Sequence, residues 1–247
     1  MLRATIDAEV FKEAVDAIAA LVSECRLHIS AEGMRTRAVD TANVAMVSLE
    51  LAPSAFEAFE ASERALGIDI TKLKNIIGMV NRGEKLMLSI PADSQRLNLA
   101  FQSYQYSLTL LDPNTIRKDP NAPTLELPGQ VVLDGAKLTN AIKAAAVVSD
   151  KIALGIDPEA RVFFMEAEGD TDNIRLELGE AELHSLTEVK ARSLFSLDYL
   201  KDMAKTMGRA ERIEISIGVD HPVRFTFEIA GGAGKVIYLL APRIEAD

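Results

Sequence analysis

IDITKLKNIIGMVNRGEKLMLSI, residues 68–90, has a counterpart 127 positions further along this chain: FSLDYLKDMAKTMGRAERIEISI, residues 195–217. The two stretches align without a gap. They agree at charged positions, as in Lys74 with Lys201, and at apolar positions, as in Leu88 with Ile215. Each pattern is typical of a strand, a helix and a second strand. A repeat of this length indicates an internal duplication and therefore predicts two domains of similar fold.

The similarity continues outside the repeated stretch at the same offset. In the first predicted helix, Phe11 aligns with Leu138 and Val15 with Ile142. Apolar residues at three-and-four spacing predict helices over 8–22, 71–82, 135–149 and 197–209, and alternating segments between them predict strands. The chain is therefore expected to have an α+β fold with four helices, two in each half.

The two halves are joined by LLDPNTIRKDPNAPTLELPG, residues 110–129, which contains four prolines. Such density excludes a helix and an interior strand, so this segment is predicted to be an extended linker. Its apolar residues Ile116, Leu125 and Leu127 indicate that it lies along the protein surface. The predicted organisation is an N-terminal domain over 1–111, a connector over 112–129 and a C-terminal domain over 130–247.

Composition limits the class of protein. Hydrophobic residues make up 48% of the 247 residues, and charged residues make up 26%, as in ordinary globular proteins. No apolar run approaches the roughly 20 residues that span a membrane, and acids near the N-terminus argue against a signal peptide. The single cysteine, Cys25, excludes an internal disulfide and fits a reducing compartment. We therefore expect a cytoplasmic protein.

Positive charge is concentrated on the predicted helices. The whole chain carries a net charge of −10, whereas the four helices carry nine basic and five acidic residues. One interpretation is that these are ordinary solvated helix faces. The other is that the helices face a polyanion and contact its phosphates without reading sequence. The basic residues are Lys12, Lys72, Lys74, Arg82, Lys137, Lys143, Lys201, Lys205 and Arg209.

No pattern of catalytic or metal-binding residues is evident. His28, His184 and His221 are far apart in sequence and lack metal-ligand spacing. AGGAGK, residues 230–235, is followed by a strand pattern rather than a helix, so a glycine-rich hairpin is favoured over a phosphate loop. We expect no catalytic residues, no metal and no cofactor.

Four separated motifs resemble the sliding-clamp family of archaea and eukaryotes, proliferating cell nuclear antigen (PCNA). They are VDTANVAMVSLEL (39–51), LGIDITKLKNIIGMV (66–80), FSLDYLKDMAK (195–205) and YLLAPRIEAD (238–247). The resemblance covers nearly the whole chain. It implies the DNA-clamp fold, in which two similar domains each pack two helices on antiparallel sheets, and three subunits form a ring.

The resemblance also implies a function. Such a clamp encircles double-stranded DNA without sequence preference, acts as a processivity factor and is not an enzyme. It tethers DNA polymerase, and its further partners are the clamp loader, flap endonuclease and ligase, bound through short hydrophobic peptides. In an archaeal cell it would be cytoplasmic and associated with the nucleoid.

Three sets of residues follow from the resemblance. Among the basic residues above, Lys12, Lys143 and Lys205 match basic positions of the family, while Asn75, Gly78 and Asp198 depart from them. The implied subunit-contact strands contain Tyr106, Leu108, Leu110, Ile174, Leu176 and Leu178. The implied pocket for partner peptides contains Val39, Asn43, Val44, Met46, Ile116, Ala122, Pro123, Leu125, Pro222, Leu239, Leu240, Ala241, Pro242 and Ile244.

Three alternatives remain at this point. The chain could be one subunit of a heteromeric clamp, either a heterotrimer or a checkpoint-type ring. It could be an enzyme of DNA metabolism, which detectable nuclease or ATPase activity would reveal. It could also be a β-rich adaptor that binds peptides without encircling DNA. The mass of the purified protein in solution separates a homotrimer from a heteromeric subunit.

Overall fold

The computed structural model describes residues 1–244. The last three residues of the YLLAPRIEAD motif, 245–247, lie outside the described part. The chain divides into two compact units: unit 1 comprises Met1–Asn121 and Glu228–Val236, and unit 2 comprises Ala122–Phe227 and the chain from Ile237 onward. The domain bounds expected from the sequence differ from this division and stay a prediction.

Unit 1 begins with a strand, a helix and a strand meander, and the same types of element then recur. Up to residue 121 its helices and strands are β1 Leu2–Asp7, α1 Ala8–Ala19, β2 Glu24–Ser30, β3 Gly33–Val39, β4 Ala45–Leu51, β5 Ala58–Ala61, β6 Arg64–Asp69, α2 Ile70–Ile77, β7 Lys85–Ile90, β8 Arg96–Phe101 and β9 Tyr104–Thr109. The segment between β9 and residue 129 contains no regular helix or strand, as its prolines predict.

The second half of the chain follows the same order of elements. They are β10 Gly129–Leu133, α3 Gly135–Val148, β11 Lys151–Asp157, β12 Val162–Glu168, β13 Asn173–Gly179, β14 Ser185–Leu186, β15 Ala191–Ser196, α4 Leu197–Met207, β16 Ile213–Ile217, β17 Val223–Ile229 and β18 Gly234–Leu240. The predicted α+β fold with four helices is confirmed for the described residues.

Strand pairing reproduces the duplication down to the register. In unit 1 the order β5-β1-β7-β8-β9 is antiparallel, with Leu2 opposite Ile90. In unit 2, β10 lies between β14 and β16, with Gly129 opposite Ile217. These two residue pairs are themselves 127 positions apart, so the offset found in the sequence is also an offset in the register.

A second set of strands in each unit completes the sheets. In unit 1 the antiparallel order is β4-β3-β2-β6, and in unit 2 it is β13-β12-β11-β15. Side chains alternate across a strand, so every second residue faces the helices. In unit 1, Cys25, Met34 and Leu49 share a small apolar cavity with Phe11 of α1 and Leu73 of α2. Their strand neighbours therefore face the opposite side of this sheet.

In unit 2, helices α3 and α4 approach each other closely. Leu138, Ile142 and Leu200 are completely buried. A Cβ atom added at Gly135 would lie 2.0 Å from the carbonyl oxygen of Met207, which is an impossible contact. Glycine at this position therefore permits the close packing of the start of α3 against the end of α4.

The predicted element boundaries are wrong at several helix ends and in one strand. Helix α1 ends at Ala19 rather than Val22, because the backbone N–H of Leu21 donates to Ile18, three residues back, and the regular four-residue pattern is lost there. Helix α2 ends at Ile77, with Gly78 as its C-cap residue, and α4 ends at Met207. The strand expected over 183–189 shrinks to two residues, β14. No helix within residues 1–244 is long and apolar enough to cross a membrane.

Candidate nucleic-acid interface and partner surfaces

The helix lysines of unit 1 lie on the exposed side of the α1–α2 pair. Lys12, Lys72 and Lys74 are exposed, while Phe11 and Leu73 are buried beneath them. An amphipathic helix with this pattern buries one face and leaves its charges in solvent. Lys74 Nζ on α2 lies 3.1 Å from the Asp16 carboxylate on α1. Lys72 Nζ lies 3.3 Å from the carboxylate of Asp69, which also caps the helix.

In unit 2 the corresponding lysines are paired differently. Lys143 occupies the position that Asp16 occupies 127 residues earlier, so Lys201, the counterpart of Lys74, has no acid there. Lys201 Nζ instead lies 2.8 Å from Asp198 on its own helix, and this hydrogen bond raises the pKa of Lys201 above its ordinary value. Lys205 similarly donates to Asp202 at 2.6 Å.

Two lysines keep their charge unneutralised. Within residues 1–244, neither Lys12 nor Lys143 forms an ion pair, and both are exposed. Lys137 at the start of α3 donates to the carbonyl oxygen of Glu182 at 2.6 Å and lies 3.7 Å from Asp134. Among the helix lysines of the described chain, the positive charge that no acid neutralises is therefore at Lys12 and Lys143.

Two arginines that the sequence placed on helices lie beyond the helix ends, and that part of the prediction is wrong. Arg82 follows α2 by several residues, and its Nε donates to the Glu9 carboxylate at 2.6 Å. Arg209 lies just after α4 and is exposed. Both side chains flank the helix pairs of their own units, and paired Arg82 retains less free charge than the sequence count assumed.

The loop that precedes β4 is built around Asp40. Its carboxylate accepts hydrogen bonds from the backbone N–H groups of Ala42, Val44 and Ala45, and its own side chain is buried. This arrangement leaves Asn43 exposed, with a left-handed backbone conformation at φ 60° that asparagine tolerates. Such a loop presents its tip rigidly to solvent.

The first part of the linker is fastened to the same region of unit 1. Arg117 donates to the Asp40 carbonyl oxygen at 3.0 Å and to the Asn43 side chain. Arg26 on β2 donates to the Ile116 carbonyl oxygen at 2.8 Å, and the Ile116 side chain is 5% exposed. The prediction that the linker packs on the surface is thus confirmed for this segment.

The peptide-pocket residues of unit 1 differ in how much surface they offer. Val39 and Val44 are half-buried, and Asn43 is exposed. Met46 and Ile116 are buried, so they offer little surface of their own.

The pocket residues of unit 2 divide in the same way. Ala122 and Pro123 are exposed, and Leu125, Pro222, Ala241 and Pro242 are half-buried. Leu239 is 8% exposed, and Leu240 is completely buried, so its side chain cannot line a surface pocket. Leu240 is therefore a core residue, and its assignment to the pocket is corrected.

The end of the described chain is fastened to unit 2 by Arg243. Its backbone N–H donates to the Leu194 carbonyl oxygen at 2.7 Å, and its guanidinium donates to the Asp150 carboxylate at 2.7 Å. This hydrogen bond lowers the pKa of Asp150 below its ordinary value. The next residue, Ile244, is 89% exposed. The sequence had not singled out Arg243.

Strands β9 and β13 are edge strands of their sheets, as expected. Their side chains offer less apolar surface than the sequence suggested. Leu108 and Leu178 are buried within their own units, as is Leu110 just after β9, whereas Leu176 is 36% exposed and Tyr106 is half-buried. The unpaired backbone groups of an edge strand remain available in either case.

Sequence reasoning named Tyr106 of β9 and missed the aromatic cluster to which it belongs. Tyr104 is 56% exposed, and its ring lies 6.4 Å from that of Tyr106, which in turn stacks on Phe101 at 5.8 Å. The Tyr106 hydroxyl lies 3.6 Å from the sulfur of Met79, which is 52% exposed. The alternation of Tyr104 and Tyr106 along the strand was the available signal.

A DNA polymerase sliding clamp from Methanosphaerula palustris is 67% identical over 247 residues, covering all of both chains. A second, from Methanoculleus marisnigri, is 63% identical over the same length. The chain belongs to the family of DNA polymerase sliding clamps. The family model of the proliferating cell nuclear antigen N-terminal domain matches residues 1–112 of this sliding clamp.

A solved structure shares both the fold and a substantial part of the sequence. It is PCNA of A. fulgidus bound to the C-terminal region of FEN-1, with a TM-score of 0.95, 38% identity and complete coverage of both chains. The likeness confirms the DNA-clamp fold that the sequence motifs implied.

A sliding clamp is a processivity factor and not an enzyme. Within residues 1–244, no group of three His, Cys, Asp or Glu side chains could hold a metal ion. Burial raises the pKa of the Cys25 thiol to about 11, so it is a poor nucleophile. His28 and His184 are bound to Asp119 and Asp134, at 2.5 and 2.7 Å.

Proposed function

We propose that this sliding clamp forms a ring of three identical subunits around duplex DNA and holds DNA polymerase and other replication and repair proteins on the template. The full-length likeness to DNA polymerase sliding clamps carries the proposal. It would act in the cytoplasm, at the nucleoid.

Helices α1 to α4 are the proposed DNA-facing elements. Lysine side chains on helices, without exposed aromatic residues among them, suit contact with phosphates rather than with bases. Lys12 and Lys143 are the strongest candidates because no acid neutralises them within the described residues. The other helix lysines that form ion pairs would have to exchange an intramolecular carboxylate for a phosphate, so each contributes less to DNA affinity; they are Lys72, Lys74, Lys201 and Lys205. This arrangement favours a loose grip, which suits sliding.

The proposed subunit contact pairs β9 of one subunit with β13 of the next. Both strands lie at the edge of an antiparallel sheet and have unpaired backbone groups. Tyr104, Tyr106 and Leu176 supply exposed apolar surface at these edges.

Partner proteins are proposed to insert a short hydrophobic peptide beside the linker. On the unit-1 side, Val39, Asn43 and Val44 would form its wall, and Met46 and Ile116 its floor. The binding of FEN-1's C-terminal region by the PCNA of A. fulgidus supports a flap endonuclease as one partner. DNA polymerase, the clamp loader and ligase are the further proposed partners.

Two measurements test the proposal. Light scattering on the purified protein should give about three times the subunit mass of 26.8 kDa; a monomer at micromolar concentration would favour the heteromeric alternative. After loading by a clamp loader, the protein should remain on closed circular DNA and leave the same DNA when it is linearised. Equal retention on both forms would contradict encirclement.

A further inference from the structure

One face of the unit-1 sheet is basic although the whole chain is acidic. It is the face of β2, β3 and β4 that lies opposite the helices. Arg26 and His28 on β2 and Arg35 and Arg37 on β3 have the strand parity of this face, since Cys25, Met34 and Leu49 point to the helix side. Register places His28 directly opposite Arg35. The whole chain carries a net charge of −10, which makes such a cluster conspicuous.

The linker uses only part of this basic face. Arg26 donates to the Ile116 carbonyl oxygen, and His28 lies 2.5 Å from the Asp119 carboxylate. Within residues 1–244, neither Arg35 nor Arg37 forms an ion pair. The linker therefore runs along one side of the cluster and leaves the two β3 arginines beside it.

These two arginines line an open cleft of about 190 Å³. Its other lining residues are His28, Thr36, Ser48, Leu49, Glu50 and Asp119. The Nε atom of Arg37 is buried and has no hydrogen-bond acceptor in the described chain. Because this atom is buried, a partner can reach only the other N–H groups of the two guanidinium groups, and a carboxylate is the acceptor that best matches them.

We propose that this cleft binds acidic side chains of partner proteins, at alternate positions of an extended segment that adjoins the hydrophobic peptide. The inference rests on the proposed function, because it extends the same partner surface. Arg35 and Arg37 are two residues apart on one strand, so their side chains emerge roughly 6.6 Å apart. Glu or Asp residues at positions i and i+2 of an extended segment have the same spacing.

Charge complementarity and position favour a peptide over nucleic acid. The cluster lies on the sheet face opposite helices α1 and α2, which are the proposed DNA-facing elements of this unit. The linker, proposed to adjoin the peptide, is already bound to Arg26 on the same face. Glu50 lies directly opposite Arg35 across β3 and β4 without forming an ion pair with it, so a partner carboxylate has to compete with a fixed acid. A modest gain in affinity is expected.

Fluorescence anisotropy with the full-length clamp tests this proposal. The probes are two synthetic peptides of the C-terminal region of A. fulgidus FEN-1. One carries the extension Ala-Glu-Ala-Glu at its N-terminus, and the other carries it at its C-terminus. Two reference peptides carry Ala-Gln-Ala-Gln or the adjacent pair Ala-Glu-Glu-Ala. In one of the two placements, the alternating acidic extension should bind about three- to tenfold more tightly than the Gln extension, and more tightly than the adjacent pair.

The matched variants are Arg35→Gln/Arg37→Gln and a control, Arg3→Gln/Arg212→Gln, which removes the same charge from exposed positions outside the cleft. The acidic advantage should vanish in the first variant and persist in the control. It should also vanish near 1 M salt, where the Debye length is about 3 Å. Thermal unfolding followed by circular dichroism should show that both variants fold.

The outcomes separate the assignment of the cleft from the proposed peptide surface. If all peptides bind but the acidic extension gives no advantage, or keeps its advantage in the Arg35/Arg37 variant, the cleft assignment is wrong and the peptide surface stands. If no peptide binds, the proposed peptide surface is wrong and the cleft assignment falls with it, whereas the ring around DNA is judged by the mass and DNA-retention measurements. A short single-stranded oligonucleotide is tested in parallel: binding that depends on Arg35 and Arg37, with no acidic-peptide advantage, would overturn the assignment in favour of nucleic acid.

Discussion

The proposed subunit contact can be broken at Leu176, the exposed leucine of edge strand β13. Leu176→Asp should convert the trimer into monomers at micromolar concentration. Complete burial of a leucine contributes roughly 1.5–3 kcal/mol. Leu176 is only 36% exposed in the isolated subunit, so covering that exposed part in the ring contributes a fraction of this free energy. The larger effect comes from the new carboxylate.

An aspartate at this position would be buried in the contact without a cation. The nearby Arg175 is already bound to Glu166 and Glu177, at 2.8 Å in the latter case. Burying an unpaired charge costs several kcal/mol. We therefore expect each contact to weaken by about 3 kcal/mol or more, which corresponds to a dissociation constant over a hundredfold higher.

Sedimentation equilibrium over a range of protein concentrations measures this change. Val189→Asp is the matched control, because Val189 is 38% exposed in the same unit but lies outside the strands. The control should remain trimeric, and both variants should keep the wild-type circular dichroism spectrum. A Leu176→Asp trimer whose dissociation constant lies within threefold of the wild-type value would refute the assignment of β13 to the contact.

Three further predictions concern charge and reactivity. Lys143→Glu should weaken binding to a short DNA duplex and make the negative slope of log K against log salt shallower by about one per contacting copy. Lys235→Glu, which lies outside the helices, is the control and should leave this slope unchanged. Arg243→Gln should raise the pKa of Asp150 in an NMR titration, since the Arg243 hydrogen bond lowers it. The stabilisation by this pair is present above the unfolded-state pKa of Asp150 and is lost as the pH falls through its folded-state pKa. An unchanged pKa of Asp150 in the variant would exclude the bond. Cys25, buried with a pKa of about 11, should resist iodoacetamide at pH 8 in the native protein and react after denaturation, and rapid native labelling would show that the α1–α2 packing opens.

Much of the architecture could be predicted because the duplication is written in local patterns. The offset that aligns Phe11 with Leu138 also relates the register of Leu2 with Ile90 to that of Gly129 with Ile217. Helix ends were less accurate, because a periodic apolar pattern continues past α1 while the backbone already turns at Leu21 and beyond.

The sequence predicted which residues belong to the candidate sites, but it did not predict their burial or their ion-pair partners. Basic residues could be counted, but whether a lysine is neutralised depends on a partner from another segment. Asp16 on α1 forms an ion pair with Lys74 on α2, 58 residues away, whereas Lys201 forms one with Asp198 on its own helix. Leu240 was expected in a pocket by resemblance and lies wholly in the core.

The sequence by itself determined the two-fold repeat, the α+β composition, the proline-rich linker and the family, since each depends on patterns that are local or repeated along the chain. Only the tertiary structure decided which lysines remain unpaired, which edge-strand leucines are buried, and that Arg26 and Arg37 lie on one sheet face beside the linker. The physical reason is that burial and ion pairing depend on side chains brought together from distant segments. At Arg26 and Ile116 that sequence separation is 90 residues, and the hydrogen bond joining them is 2.8 Å.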